Sequence, residues 1–250
     1  MFRRSLAILL LAATAASAEA VAPQPVALSA ERGDFRLEWS DGTVTRGASL
    51  VGARLMLAGE PVTITAARPS PHDRLGEIWQ FDLRRADGSR YCTPDPHGEQ
   101  WAMTLPDPEA PGGFSITCTS GGLGKCLNNG YAPWRQTADG QSLAAYHRAC
   151  LHMLRAAYGG GEHGWTRNGT RIDMFDDAGI VPDDEPSDTP FEAGWNEHGA
   201  VCVAHPRIPE NGSLDDILAE TPHLAGRLGP AACTEERARA LGALVFNRSR

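Results

Sequence analysis

The stretch Ser142-Leu143-Ala144-Ala145-Tyr146-His147-Arg148-Ala149-Cys150-Leu151-His152-Met153-Leu154-Arg155-Ala156-Ala157-Tyr158-Gly159-Gly160-Gly161 holds the clearest helical pattern in the chain. Leu143, His147, Cys150, Leu151, Leu154 and Tyr158 recur at spacings of three and four, which places them on one helical stripe. Ser142 supplies a side-chain oxygen for the open amides of a first turn, and three glycines end the pattern. The spacing predicts a helix over residues 143–158. Upstream of it the apolar residues follow the strand period instead, and the contrast sets the fold class.

Phe35, Leu37 and Trp39 alternate with polar residues, Ser40-Asp41-Gly42-Thr43 has turn chemistry, and Val44 resumes the extended pattern, which together read as a hairpin. Further strands are expected near residues 49–57, 62–67 and 77–85, the last with Trp79, Phe81 and Leu83 on one face, before Asp87-Gly88 turns the chain toward Tyr91-Cys92. Residues 101–105 and 114–118 form two more extended candidates around a proline- and glycine-rich loop. Downstream of the helix, Gly164 to Ile172 reads as strand, Asn168-Gly169 turn and strand. Residues 191–195 and 200–204 are weaker strand candidates. Ser213 with Asp216 resembles a capping box, and Thr234 ahead of Glu235 and Glu236 opens a helix expected to run to about Phe246. The fold class is therefore α+β: an antiparallel β-rich body, one central helix and short C-terminal helices, stapled by disulfides.

Residues 1–18 carry a basic start (Arg3, Arg4), a short apolar run and the small-residue exit Ala16-Ser17-Ala18, the pattern of a secretory signal peptide. Residues 19–33 read as a flexible lead-in, 34–90 as an N-terminal β meander and 207–250 as a C-terminal helical extension. No apolar run reaches the roughly 20 residues of a membrane span, and no cysteine stands at the expected cut to carry a lipid anchor. The expected address is the periplasm or the exterior. The formal charge of −8 becomes 31 acids against 21 bases once Arg3 and Arg4 leave, which argues against nucleic acid as a partner. In an oxidising compartment the even set Cys92, Cys118, Cys126, Cys150, Cys202 and Cys233 reads as a disulfide framework. Six cysteines allow 15 pairings, and two bridges with two free thiols is the competing arrangement.

Candidate chemistry is sparse. Ser120-Gly121-Gly122-Leu123-Gly124-Lys125 invites a phosphate-loop reading, but Thr119 stands where that pattern needs glycine and Cys126 where it needs a hydroxyl, so a glycine-rich turn is the better reading. Neither a G-x-S-x-G elbow nor an H-E-x-x-H helix occurs. His147 and Cys150, three apart on the predicted helix, form the sharpest catalytic idea, because an imidazole beside a thiol can generate a thiolate nucleophile. A bridged cysteine and a core histidine are the plainer identities. His163, Asp173, Asp176 and His198 suit zinc or manganese by type, yet match no ligand template. Asp183, Asp184, Glu185 and Asp188 resemble a calcium loop only in composition. No metal and no cofactor is expected. Trp134, Trp165 and Trp195 sit beside turn residues, where they either line a ligand groove or plug the core.

Three runs resemble the ADYC domain of exported bacterial proteins: Gly124-Lys125-Cys126-Leu127-Asn128-Asn129-Gly130-Tyr131-Ala132-Pro133-Trp134, Tyr146-His147-Arg148-Ala149-Cys150, and Met153-Leu154-Arg155-Ala156-Ala157-Tyr158-Gly159. Later segments, Thr166 to Asp173, Asp177-Ala178-Gly179-Ile180, Phe191 to Trp195 and Gly199 to Cys202, are similar to the same pattern, giving an ADYC-like domain over 91–206. Ala157 stands where the naming motif has aspartate and Gly159 where it has cysteine. The resemblance implies an exported, cysteine-bridged domain and transfers no catalytic residue. Two functions compete: a binding or structural module acting on an unknown ligand or envelope component, and an extracytoplasmic hydrolase or thiol enzyme using His147 and a free cysteine.

Overall fold

The computed structural model describes residues 22–183 and 188–250, so the expected signal peptide lies outside the described residues. Three antiparallel sheets carry the fold. β1 (Pro25–Glu31), β2 (Asp34–Trp39) and β3 (Val44–Arg46) form the first. β4 (Arg54–Leu57), β5 (Glu60–Pro69), β6 (Trp79–Arg85), β7 (Ala102–Pro106) and β8 (Phe114–Cys118) form a five-stranded meander. Phe35 and Leu37 from the first sheet pack with Leu55, Val62, Ile64, Phe81 and Leu83 from the second, so the inward residues of both share one core. Phe35 lies against Phe81 with ring centroids 4.8 Å apart.

The third sheet has the order β11-β10-β12-β9, from β9 (Ile172–Asp176), β10 (Phe191–Asn196), β11 (Gly199–Val203) and β12 (Val245–Ser249). It is covered on both faces, and the alternation along each strand shows how. Ala193, Trp195 and Val245 join the core under helix α2 (Leu143–Arg155), which also takes in Tyr146, Ala149 and Met153. Gly194 and Phe246 face the other way, toward α4 (Glu235–Ala240), where a Cβ on Gly194 would come within 2.6 Å of Ala238 Cβ. A small seam of Ile78, Met103, Leu127 and Ala132 joins the five-stranded sheet to α1 (Gly122–Asn128). Arg135 locks the same seam by donating to both Asp73 oxygens, at 2.8 and 2.9 Å, and to Glu77 at 2.7 Å.

All six cysteines are bridged, as Cys92–Cys118, Cys126–Cys150 and Cys202–Cys233. Helix α2 begins as expected, with Ser142 accepting from the Ala144 amide, but it ends at Arg155 because Ala156 turns left-handed at φ 50°. Ser213 and Asp216 make the full capping box of α3 (Leu214–Glu220).

Five further expectations fail. Of residues 49–57 only Arg54–Leu57 is strand, and Gly47–Leu50 forms a 3-10 turn. The lead-in is strand from Pro25, paired along β2. The glycine-rich stretch after Cys118 is the start of α1, where small residues permit close packing: a Cβ on Gly124 would sit 2.1 Å from the Cys118 carbonyl oxygen. Asn168-Gly169 does turn, with Gly169 at φ 88°, but residues 164–171 form no strand to pair with β9. The C-terminal extension is not all helix, since α4 stops at Ala240 and β12 fills the space between β10 and β9.

Candidate functional site

A cleft of about 530 Å³ opens where the loops after β6 and β8, α1, the end of α2 and the loop before β9 meet. One rim, Thr93 to Pro96, leaves directly from Cys92, whose bridge to Cys118 pins it beside Ser120. The Thr93 and Ser120 hydroxyls lie 3.2 Å apart across that junction. Lys125 enters from α1, and the neighbouring Cys126–Cys150 bridge fixes α1 on α2. The last turn of α2 supplies Leu154 and Arg155, and the turn around Asn168-Gly169 supplies the opposite wall.

The wall behind this cleft is held by a buried ion pair. Glu192 and Arg207 are fully enclosed, with Nε–Oε2 at 2.9 Å and Nη2–Oε1 at 3.0 Å. Glu192 also accepts from Asn247 Nδ2 at 2.6 Å and from the Tyr158 hydroxyl at 3.1 Å. The same guanidinium donates to the Leu154 carbonyl at 3.2 Å and to Thr166 Oγ1 at 3.5 Å, so one buried cation positions two residues that line the cleft. Burial beside Glu192 pushes the Tyr158 hydroxyl well above the usual phenol range, which keeps it neutral.

Charge in the cleft runs against the charge of the chain. Lys125, Arg155 and Arg167 line it with one carboxylate, Asp95, whose Oδ1 accepts the His97 and Glu99 amides at 2.8 and 2.9 Å. Among the described residues Lys125 has no ion-pair partner. Arg155 reaches the wholly exposed Glu162 carboxylate at 3.5 Å and Arg167 reaches Glu210 at 3.8 Å, both exposed pairs of little energetic weight.

Of the residues singled out from sequence, only the glycine-rich run with Ser120, Gly122 and Lys125 and the Asn168-Gly169 turn border this cleft; among the described residues the catalytic, metal and tryptophan candidates do not. Cys150 is bonded to Cys126 and has no thiol to activate. His147 is buried, its Nδ1 lies 2.8 Å from the Tyr131 carbonyl, and burial holds its pKa below the usual imidazole range. The thiol-enzyme reading is overturned: its nucleophile is a disulfide and its base is buried on the inner face of α2. Trp195 is fully buried with its Nε1 donating to Asn247, Trp165 lies tilted against Tyr158 in the core, and Trp134 donates to Glu77 at the seam, so the three form no common groove.

His163 pairs with Glu220, Asp173 with Arg248, and Asp176 accepts the Tyr131 hydroxyl, while the His198 side chain is exposed. Among the described residues no three His, Cys, Asp or Glu side chains are grouped to hold a metal ion. Asp183 is bound to Arg248 and Asp188 to Arg250, and Asp184 and Glu185 lie outside the described residues.

Comparison with known families adds one decisive match: the model of the ADYC domain aligns with residues 47–209, well over half of the chain. The chain belongs to the ADYC domain family. No curated protein and no solved structure matches it. The ADYC match begins at residue 47 and not at 91, so it takes in the whole five-stranded sheet as well as the motif runs. Every residue lining the cleft, from Thr93 to Ile172, falls inside it. At the degenerate end of the ADYC motif, Ala157 is fully buried, and a Cβ on Gly159 would meet Thr221 Cγ2 at 2.8 Å. Thr221 fills the room that a cysteine at 159 would need.

Sequence reasoning missed Lys125, Arg155 and Arg167 as a group. A signal was present in Lys125, the one lysine of the chain, which stands in a family-like run. Arg155 and Arg167 stand in two other such runs, but no spacing relation in the sequence places them beside Lys125.

Proposed function

We propose that this ADYC-family protein is an extracytoplasmic binding module whose ligand occupies the cleft between the 93–96 loop, α1, the end of α2 and the 166–170 turn. The observation that carries the reading is the convergence of three cations on one open cleft, with Lys125 left without a counter-charge among the described residues. A volume of about 530 Å³ suits a small molecule or the end group of a larger one. Three disulfides support an oxidising compartment, and among the described residues no helix is long and apolar enough to cross a membrane. The pattern of residues 1–18 supports export by the general secretory route.

Amide chemical-shift mapping of the oxidised protein against a panel of sugars, amino acids and their phosphorylated or carboxylated forms tests the reading. At least one compound is expected to shift amides of residues 93–96, 120–125 and 166–170 together. Shifts confined to any other surface, or no shift with any member of the panel, would remove the cleft as the binding site.

A further inference from the structure

Resting on the cleft as the binding site, we infer that its ligand presents a phosphomonoester on a hydroxylated, non-aromatic body. Three cations against one carboxylate leave the lining with a net charge of about +2, in a chain whose formal charge is −8. Such a local inversion costs stability through like-charge repulsion unless a ligand offsets it. A phosphomonoester carries about −1.5 to −2 charges at pH 7 and three acceptor oxygens, which matches that excess with a single group.

The donors match as well. Two guanidinium forks and one ammonium suit tetrahedral oxyanions, and neither arginine is committed to a buried partner. Asp95 offsets one of the three, and its Oδ1 already accepts two amides of its own turn, so two cations remain in excess. Beyond the cations, the hydroxyls of Thr93, Ser120, Thr166 and Thr170 and the Asn168 amide offer hydrogen bonds to a polyol or sugar. No aromatic side chain lines the cleft, so it has no platform on which a nucleobase or a sugar face could stack. A free sugar or polyol phosphate and a lipid headgroup ending in phosphate share this chemistry.

Calorimetric titration of the fully oxidised protein separates the outcomes, with glycerol 3-phosphate, inorganic phosphate, glycerol, succinate and phosphatidylcholine vesicles with or without phosphatidic acid as probes. Glycerol 3-phosphate is expected to bind, glycerol not to bind, and succinate to bind at least about tenfold more weakly. Lys125→Gln and Arg167→Gln are each expected to weaken glycerol 3-phosphate about tenfold, and Lys125→Arg to retain it, with unchanged near-ultraviolet circular dichroism certifying the fold of each variant. Binding of phosphatidic acid vesicles in preference to glycerol 3-phosphate assigns the group to a lipid, and the reverse to a soluble metabolite; both uphold the phosphomonoester.

The inference falls if no phosphate-bearing probe binds, or if succinate or glycerol binds as tightly. When such a probe nonetheless shifts the cleft amides, the cleft survives as the site and only the ligand class is lost. When glycerol 3-phosphate binds without shifting cleft amides and ignores Lys125→Gln, the site itself is wrong.

Discussion

Glu192 and Arg207 illustrate what single residues contribute here. Taking two charges wholly out of water is costly, and the pair persists because all three guanidinium nitrogens and both carboxylate oxygens have hydrogen-bond partners. Removing one member leaves the other buried and uncompensated. Arg207→Leu is expected to lower the unfolding free energy by about 3–5 kcal/mol in urea titrations. A cycle with Glu192→Leu should return a coupling above about 1 kcal/mol. A single-variant loss below about 1 kcal/mol would mean that water reaches the pair and that its hold on Leu154 and Thr166 is slack. None of this was legible in the sequence, where Glu192 sits in a strand-like run and Arg207 after a proline, 15 residues apart with no periodic relation.

At the scale of elements, the corner between β3 and the five-stranded sheet rests on Asp34 at the start of β2. Its Oδ1 accepts the Gly47 amide at 3.2 Å, and Gly47 takes φ 51° with the Trp79 ring 2.7 Å from where a Cβ would stand. Burial pushes the Asp34 carboxyl up to about 6, against the downward pull of that amide and of Arg46. Between an unfolded value near 3.9 and the folded value of about 6, the folded state holds the proton more often than the unfolded state does. Stability from Asp34 is thus full below about pH 4 and lost as pH rises through 6. Asp34→Asn should flatten that part of the profile. Subtracting the variant's pH–stability curve from that of the parent isolates Asp34 from His147 and His152, whose depressed pKa values act in the opposite sense. A difference curve that stays level from pH 4 to 7 would show Asp34 ionised in the fold.

Elements were legible where local chemistry and packing agree. The caps of α2 and α3 and the alternating apolar residues of β2 and β6 need no tertiary partner to be recognised. β1 was hidden because its Pro, Val and Ala residues are mostly exposed at an edge, so no buried face writes a pattern into it. α1 was hidden because glycine disfavours helix, and here close approach to Cys118 and Leu151 overrides propensity. The start of β12, Val245 and Phe246, was read as helix because the periodic run of α4 leads into it, with Gly242 as the one sign of a break.

On the scale of the whole molecule, the cleft exists because segments distant in sequence are tied together by covalent bonds, and the bonds differ in exposure. Cys126 and Cys150 are fully buried between α1 and α2, and Cys202 and Cys233 are nearly so; Cys92 is also buried, but its partner Cys118 is only half-buried, two residues before Ser120 of the cleft. The sequence foretold that cysteines would be bridged; it could not foretell which bridge borders a site, because pairing depends on the packing of the sheets. Access governs thiol–disulfide exchange in a folded protein, and local opening costs less at a rim than in a core. Graded reduction without denaturant, followed by alkylation and peptide mass spectrometry, is therefore expected to label Cys92 and Cys118 first. Far-ultraviolet circular dichroism should hold at that stage while residues 93–96 detach from Ser120 and ligand affinity falls. If Cys126 and Cys150 were labelled first instead, α1 would have to leave α2 before the rim opens, and Lys125 would then sit on the least secure wall of the cleft.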